Sequence, residues 1–115
     1  MHIKHRFRGF IPIVIDVETA GFNADTDALL EVALTAIHYN PSKNIFYPGD
    51  IQHHHIQPFE GAHLNPEALA FTGIQPDHPF RFAQSEHTVL TNINQHIHDV
   101  RKQTGCTKAI IVAHN

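Results

Sequence analysis

Near the end of this chain an unbroken apolar run, Ala109-Ile110-Ile111-Val112-Ala113, follows the one long stretch with helical periodicity. Between about Ser85 and Gln103, Val89, Ile93, Ile97 and Val100 recur at the spacing of a helix face, with Leu90 beside them. Ser85 can cap that helix and Gly105 ends it. A helix that leads into a compact apolar run is the pattern of a crossover into a parallel strand, expected here over Lys108–Ala113 and expected to be fully buried. This pairing puts the chain in the α/β class.

The earlier segments fill in the sheet. Ile11 to Val17 is apolar and β-branched, with Pro12 at its start, and reads as a buried strand. Ala28 to Tyr39 reads as a second strand, reached through Asp25-Thr26-Asp27. Asn40-Pro41-Ser42 and Tyr47-Pro48-Gly49-Asp50 bracket a loop, and Ile51 to Gln57 reads as a third strand closed by Pro58. These three are expected to form an antiparallel meander. Asn65 followed by Pro66 and Glu67 has the form of a helix start, with an Asn cap, proline at the first helical position and a carboxylate in the first turn. The short helix should run to Ala70 or Phe71 and stop at Gly73. Gln75 to Phe82 reads as a loop. The order is therefore β-β-β-α-α-β. An α/β sheet that has just received its first parallel strand normally continues into further elements covering both faces, so a chain ending at Asn115 is expected to leave an open sheet edge.

A chain of 115 residues with 42% hydrophobic and 17% charged residues is globular and one domain at most. It has no run near the roughly 18 to 20 apolar residues of a membrane span, and no signal-peptide core follows its basic start. The lone Cys106 suits a reducing compartment as a small buried hydrophobe, so the expectation is a cytosolic protein. A net charge of -3 argues against a general nucleic-acid-coating protein. The charge is uneven, however: Lys4, Arg6 and Arg8 lie at the start, Arg101, Lys102 and Lys108 near the end, and acidic residues between.

Asp16 and Glu18 stand at i and i+2 at the end of the first strand, so their side chains point to one face. Two like charges held on a buried strand repel and lose hydration, a situation that a hard divalent cation relieves; the alternative is a strand-end pair that reaches solvent. The apolar run before the pair and the Thr19-Ala20-Gly21 turn after it keep both readings open.

The stretch Asp16-Val17-Glu18-Thr19-Ala20-Gly21-Phe22 resembles the first motif of the DEDD exonuclease superfamily. Phe7-Arg8-Gly9-Phe10, Phe22-Asn23-Ala24, Asp27-Ala28-Leu29-Leu30-Glu31, Gln57-Pro58-Phe59, Pro66-Glu67-Ala68-Leu69-Ala70-Phe71 and Val112-Ala113-His114-Asn115 resemble the ribonuclease T family in particular, in order and spacing. The resemblance covers nearly the whole chain and implies a ribonuclease H-like mixed sheet. It also implies a 3'-to-5' exoribonuclease that trims RNA 3' ends in tRNA maturation and end turnover, with two Mg²⁺ ions, or Mn²⁺, per complete site. Asp16 and Glu18 would be catalytic metal ligands. Phe22 and Phe71 would stack on terminal bases and Glu67 would read base edges. For these phenylalanines, plain core packing is the alternative. Arg6, Arg8, Lys102 and Lys108 would hold the RNA backbone entering the other subunit of a homodimer.

The family's third and fourth carboxylates and its general-base histidine have no counterpart in residues 1–115, which correspond to the N-terminal portion of a single exonuclease domain. His114 matches the histidine opening the second family motif, not the base. Two carboxylates on one strand are too few to hold two ions well, so little activity is expected of these residues alone. An inactive fragment or nucleic-acid-binding remnant is the competing reading; a proofreading DNA exonuclease fits less well at Pro66 to Phe71 and at the N-terminal arginines. Among the twelve histidines, His53 and His55 share a strand face at a spacing that can hold a transition metal, but the sequence offers no evident third ligand, so exposed strand residues are the expected reading.

Overall fold

The computed structural model describes residues 2–114; Met1, and Asn115 at the end of the Val112-Ala113-His114-Asn115 stretch, lie outside the described residues. In chain order a 3₁₀ turn (Ile3–His5) precedes β1 (Phe10–Thr19), β2 (Leu29–Asn40), β3 (Ile45–Pro48), β4 (Gln52–Gln57) and α1 (Pro66–Thr72). A second 3₁₀ turn (Pro79–Arg81), β5 (Gln84–Ser85), α2 (Glu86–Thr104) and β6 (Lys108–Ala113) complete it. The strands are hydrogen-bonded in the order β5-β4-β2-β1-β6, with β3 against β2. β6 runs parallel to β1, pairing Phe10 with Lys108 through Ile15 with Ala113. β3 is antiparallel to β2 and β5 parallel to β4, so the sheet is mixed.

The chain divides into two compact units. One comprises the described residues of Met1–Asp16, Ala33–Gln52 and Asn92–Asn115; the other comprises Val17–Val32 and His53–Thr91. In the first unit Ile11 and Ile13 are fully buried, and Leu34, Ala36, Ile93, Val100 and Cys106 are buried. In the second, Ala20, Ala28 and Leu30 form a buried cluster against which Ala62, Leu64, Leu69 and Ile74 pack. Along β2 the burial alternates residue by residue from Leu29 to Ala36, as a strand with one core face requires.

Local signals place the helices. Asn65 Oδ1 accepts the backbone N–H groups of Glu67 and Ala68 at 2.9 and 3.3 Å, satisfying two donors that the first turn of α1 leaves free. Gly73, with φ of 74°, closes α1 one residue beyond its expected end and donates to the Leu69 carbonyl. Ser85 Oγ accepts the Thr88 N–H at 3.2 Å, the cap its position predicted for α2.

Three expectations need correction. The stretch read as a loop between Asn40 and Asp50 contains β3, which returns along β2 with Asn40 opposite Ile45 and Tyr39 opposite Phe46. Two closely spaced turn signals hide a four-residue strand, and cross-strand aromatic contacts hold it: Tyr39 and Phe46 have ring centroids 5.2 Å apart, His38 and Tyr47 5.4 Å. The loop from Gln75 to Phe82 carries the 3₁₀ turn at Pro79–Arg81. β6 has its expected bounds and runs parallel, with β1 as partner, but it is exposed, with Ile110, Ile111 and Val112 at 45–53%. It ends the strand order, so its backbone has one strand neighbour, the open edge expected of the sheet, and its apolar side chains are only about half covered.

Candidate active site

β1 is buried only in its first half. After Ile13, Val14 is 37% and Val17 46% exposed, and Asp16 is exposed while Glu18 is half-buried. Of the two readings the sequence left open, the structure has the pair at the exposed end of the strand. The two carboxylates emerge there two residues apart and on the same side of the pleat. Asp16 continues the face of Val14, which lies beside Val112 of β6. A pair so placed keeps access to water and offers only oxygen donors, the ligand set that suits a hard divalent cation.

The turn that follows is tightly tied within its unit. Thr19 Oγ1 donates to the Gly21 carbonyl at 2.7 Å, and Ala20 N–H to the Ala28 carbonyl at 2.8 Å. Asn65 N–H donates to the Ala20 carbonyl, and His63 N–H to the Thr26 carbonyl, both at 2.7 Å. Segment 63–65, which leads into α1, is thus bonded directly to the motif loop. Asp27 organises this junction. Its carboxylate accepts the Asn23 N–H at 2.9 Å and the Thr26 hydroxyl at 3.1 Å, and lies 2.8 Å from His63 Nδ1. The same carboxylate explains the glycine of the motif: a Cβ on Gly21 would lie 2.1 Å from Asp27 Oδ2, so any side chain there displaces Asp27.

The Asn23 N–H, and after it the hydrogen bond to His63, hold the Asp27 carboxyl below its ordinary value of 3.8. Since the folded value is the lower one, ionised Asp27 contributes stability that is present above pH 3.8 and is lost as the pH falls through the folded value. We expect Asp27→Asn to be less stable than the native chain near neutral pH. In denaturant unfolding followed downward from pH 7 through 3.8, that gap should narrow as Asp27 protonates; a gap that stays constant with pH would contradict this role.

Phe22 and Phe71 are 98% and 91% exposed, so neither ring packs into a core formed by the described residues. Phe22 stands on the motif loop. Phe71 lies one turn beyond Glu67 on α1, so the two share a helix face, while Leu69 packs into the cluster of Ala20, Ala28 and Leu30. Phe22, Glu67 and Phe71 thereby belong to one unit, with the loop and the helix that carry them joined by backbone bonds and by the core.

The four cations belong to the other unit and are exposed. The Gly9 carbonyl accepts the Thr107 and Lys108 N–H groups at 2.9 and 3.4 Å, which brings the Arg8 segment beside Lys108. Lys4 packs against Gly105, whose N–H donates to the Lys102 carbonyl. Arg6 lies across the rings of Tyr39 and Phe46, 4.9 and 5.4 Å from their centroids.

A family model described as exonuclease matches residues 13–115. The chain belongs to the exonuclease family. Over 113 residues, 98% of its length, it is 54% identical to the ribonuclease T of Yersinia enterocolitica and 52% identical to that of Shewanella denitrificans. It covers 52% and 50% of those two proteins, and so spans about half the length of the curated relatives it matches. In fold it is similar to E. coli exonuclease I in complex with a dT13 oligonucleotide, with a TM-score of 0.65 at 20% identity over 92% of this chain and 20% of that one. An exonuclease I from Methylocaldum szegediense gives a TM-score of 0.66, also at 20% identity and the same coverage. The mixed α/β sheet is thus of the ribonuclease H-like kind.

Within this exonuclease fold, two features escaped the sequence. Arg81, in the segment read as a loop, donates to the carbonyls of Pro76, Leu30 and Ile56 at 2.7, 2.9 and 3.2 Å, tying that loop to β2 and β4. It lines a cleft of about 400 Å³ together with Glu31, Gly73, Ile74, Gln75 and His78. The second feature corrects the histidine reading. Glu31 brings a third potential donor to His53 and His55, with donor atoms of all three residues within 4.8 Å of one another. The available signal was that Glu31 is the only charged residue in β2, whose alternation puts it on the face away from the core.

Proposed function

We propose that this chain is the N-terminal portion of a single exonuclease domain in a 3'-to-5' exoribonuclease that trims single-stranded RNA ends, tRNA ends among them. The observation that supports this most is the exposure of Phe22 and Phe71. Holding two phenyl rings in water is unfavourable, and the family resemblance implies a base-stacking role at both positions. Stacking on an aromatic ring is tolerant of sequence, as an enzyme that meets many RNA 3' ends requires. Glu67, on the face of α1 that carries Phe71, would accept hydrogen bonds from a base edge.

Asp16 and Glu18 would bind divalent cations, Mg²⁺ or in its place Mn²⁺, through carboxylate oxygens. Such ions would supply Lewis-acid activation of water and neutralise charge at the leaving oxygen. The protein's own part is to present both carboxylates on one strand face, to stack the terminal bases, and to hold phosphates with Arg6, Arg8, Lys102 and Lys108. Each phosphate neutralised adds to the salt dependence of binding. We assign that cationic set to RNA bound across a homodimer. Among the described residues no helix is long and apolar enough to cross a membrane, and the single buried thiol fits a cytoplasmic enzyme. Residues 1–115 on their own would turn over little RNA, since two carboxylates give too few ligands for two ions.

In a binding assay with Mg²⁺, a linear single-stranded RNA with a free 3' end should bind more tightly than a circular RNA of the same sequence, and Asp16→Ala with Glu18→Ala should weaken that preference. Equal affinity for the two RNAs would refute end recognition. Trimming of the linear RNA that disappears in the double variant would refute the incomplete-site reading and support the enzyme itself.

A further inference from the structure

We propose that Glu31, His53 and His55 form a binding site for one late first-row divalent ion of the Zn²⁺ class, separate in residues and in ligand chemistry from the Asp16–Glu18 pair. Glu31 comes from β2, and the two histidines from β4, its neighbour in the sheet. His53 and His55 alternate with His54 along the strand, so both imidazoles stand on one face, with ring centroids 4.7 Å apart. Glu31 reaches across to both. Its Oε1 lies 3.1 Å from His55 Nδ1 and its Oε2 3.6 Å from His53 Nε2.

Three features distinguish this cluster from an ordinary surface ion pair. First, the donors are gathered: one ligand atom from each of the three residues lies within 4.8 Å of the other two. Ligand atoms about 2.0–2.2 Å from a tetrahedral centre stand roughly 3.3–3.6 Å from each other, so side-chain adjustments of about an ångström bring the three onto one ion. Second, His55 Nδ1 is buried and has no hydrogen-bond partner among the described residues, although Glu31 is 3.1 Å away. The approach is close but lacks hydrogen-bond geometry. A buried ring nitrogen left without a partner costs free energy, and coordination to a metal uses its lone pair. Third, the donor types select the ion: imidazole nitrogen suits Zn²⁺, Cu²⁺ and Ni²⁺, whereas Mg²⁺ takes oxygen.

Two histidines and one glutamate leave at least one coordination position for water, and His53, at 51% side-chain exposure, opens the cluster to solvent. The bound ion would clamp β2 to β4. Because the three ligands come together only in the folded chain, the ion binds the folded state and raises its stability by mass action.

Co²⁺ titration of the purified 115-residue chain tests this, since the ion's visible absorption reports its coordination. The expected result is a band that saturates at one equivalent, is displaced by one equivalent of Zn²⁺ and persists in excess Mg²⁺. It should be lost in Glu31→Gln and in His55→Gln and retained in Asp16→Ala/Glu18→Ala. Zn²⁺ at about 100 times its Kd should raise Tm by about 10 °C in the native chain and not in the ligand variants. Circular dichroism without metal checks that those variants fold, and Glu31→Gln keeps the shape of the side chain it replaces. A band of equal strength in Glu31→Gln and His55→Gln, or no band in the native chain, would overturn the proposal. Loss of the band in Asp16→Ala/Glu18→Ala alone would place the ion at that pair and overturn it as well.

Discussion

Replacing Phe22 and Phe71 together by alanine should weaken binding of a short single-stranded RNA with a free 3' end by about 30-fold or more, with no loss of thermal stability. Base stacking on an aromatic ring contributes about 1–3 kcal/mol per base, and two rings lost at the lower figure already correspond to that ratio. Stability should not change because rings 98% and 91% exposed contribute almost no buried area. The two readouts separate the possibilities cleanly. If Tm falls with affinity, the rings support the fold; if neither changes, they do not hold bases and the proposed substrate site is wrong. Phe22→Tyr with Phe71→Tyr, which keeps the aromatic faces, should restore most of the affinity in fluorescence anisotropy.

Leu30→Ala should have the opposite profile. Leu30 is fully buried at the centre of the cluster formed with Ala20 and Ala28, and Leu64, Leu69 and Ile74 pack around it. Truncation there removes transfer free energy and leaves a cavity, at a cost of about 2–5 kcal/mol. That is a large share of the roughly 5–15 kcal/mol expected for a domain, and Tm should fall by about 10 °C or more. The loss reaches the proposed site as well, because this cluster seats α1 against the loop that carries Phe22. RNA binding by Leu30→Ala should therefore recover on cooling, where the fold is retained, and Phe22→Ala should not. Val14→Ala, at a position 37% exposed, provides the control and should change Tm far less. A Leu30→Ala chain as stable as the native one would mean that this cluster is not the core of its unit.

The exonuclease assignment and most of the framework were legible because they rest on short-range chemistry. The Asn65-Pro66-Glu67 start of α1, the Ser85 cap of α2, the Gly73 and Gly105 stops and the apolar run of β6 each declare themselves within a few residues. The Asp16-to-Phe22 motif is equally local, and so is the rule that puts both carboxylates on one face of β1. β3 was not legible because its stabilisation is cross-strand: Phe46 is held by Tyr39 and Phe7, and its own segment looks like two adjoining turns.

Burial was the least legible property of all. Val14, Ile110, Ile111 and Val112 read as core residues, yet their exposure is set by what packs on them: the open edge was foreseen from the element order, but not that it would expose these side chains. The sequence by itself determined the element types, the parallel pairing of β6, the paired carboxylates and the family. The tertiary structure alone decided that Phe22 and Phe71 stand in water, that Asp27 occupies the space over Gly21, and that Glu31 meets His53 and His55. Helix caps and strand alternation act between residues a few positions apart, whereas register and packing bring together residues far apart in the chain, at distances that no short window of sequence contains.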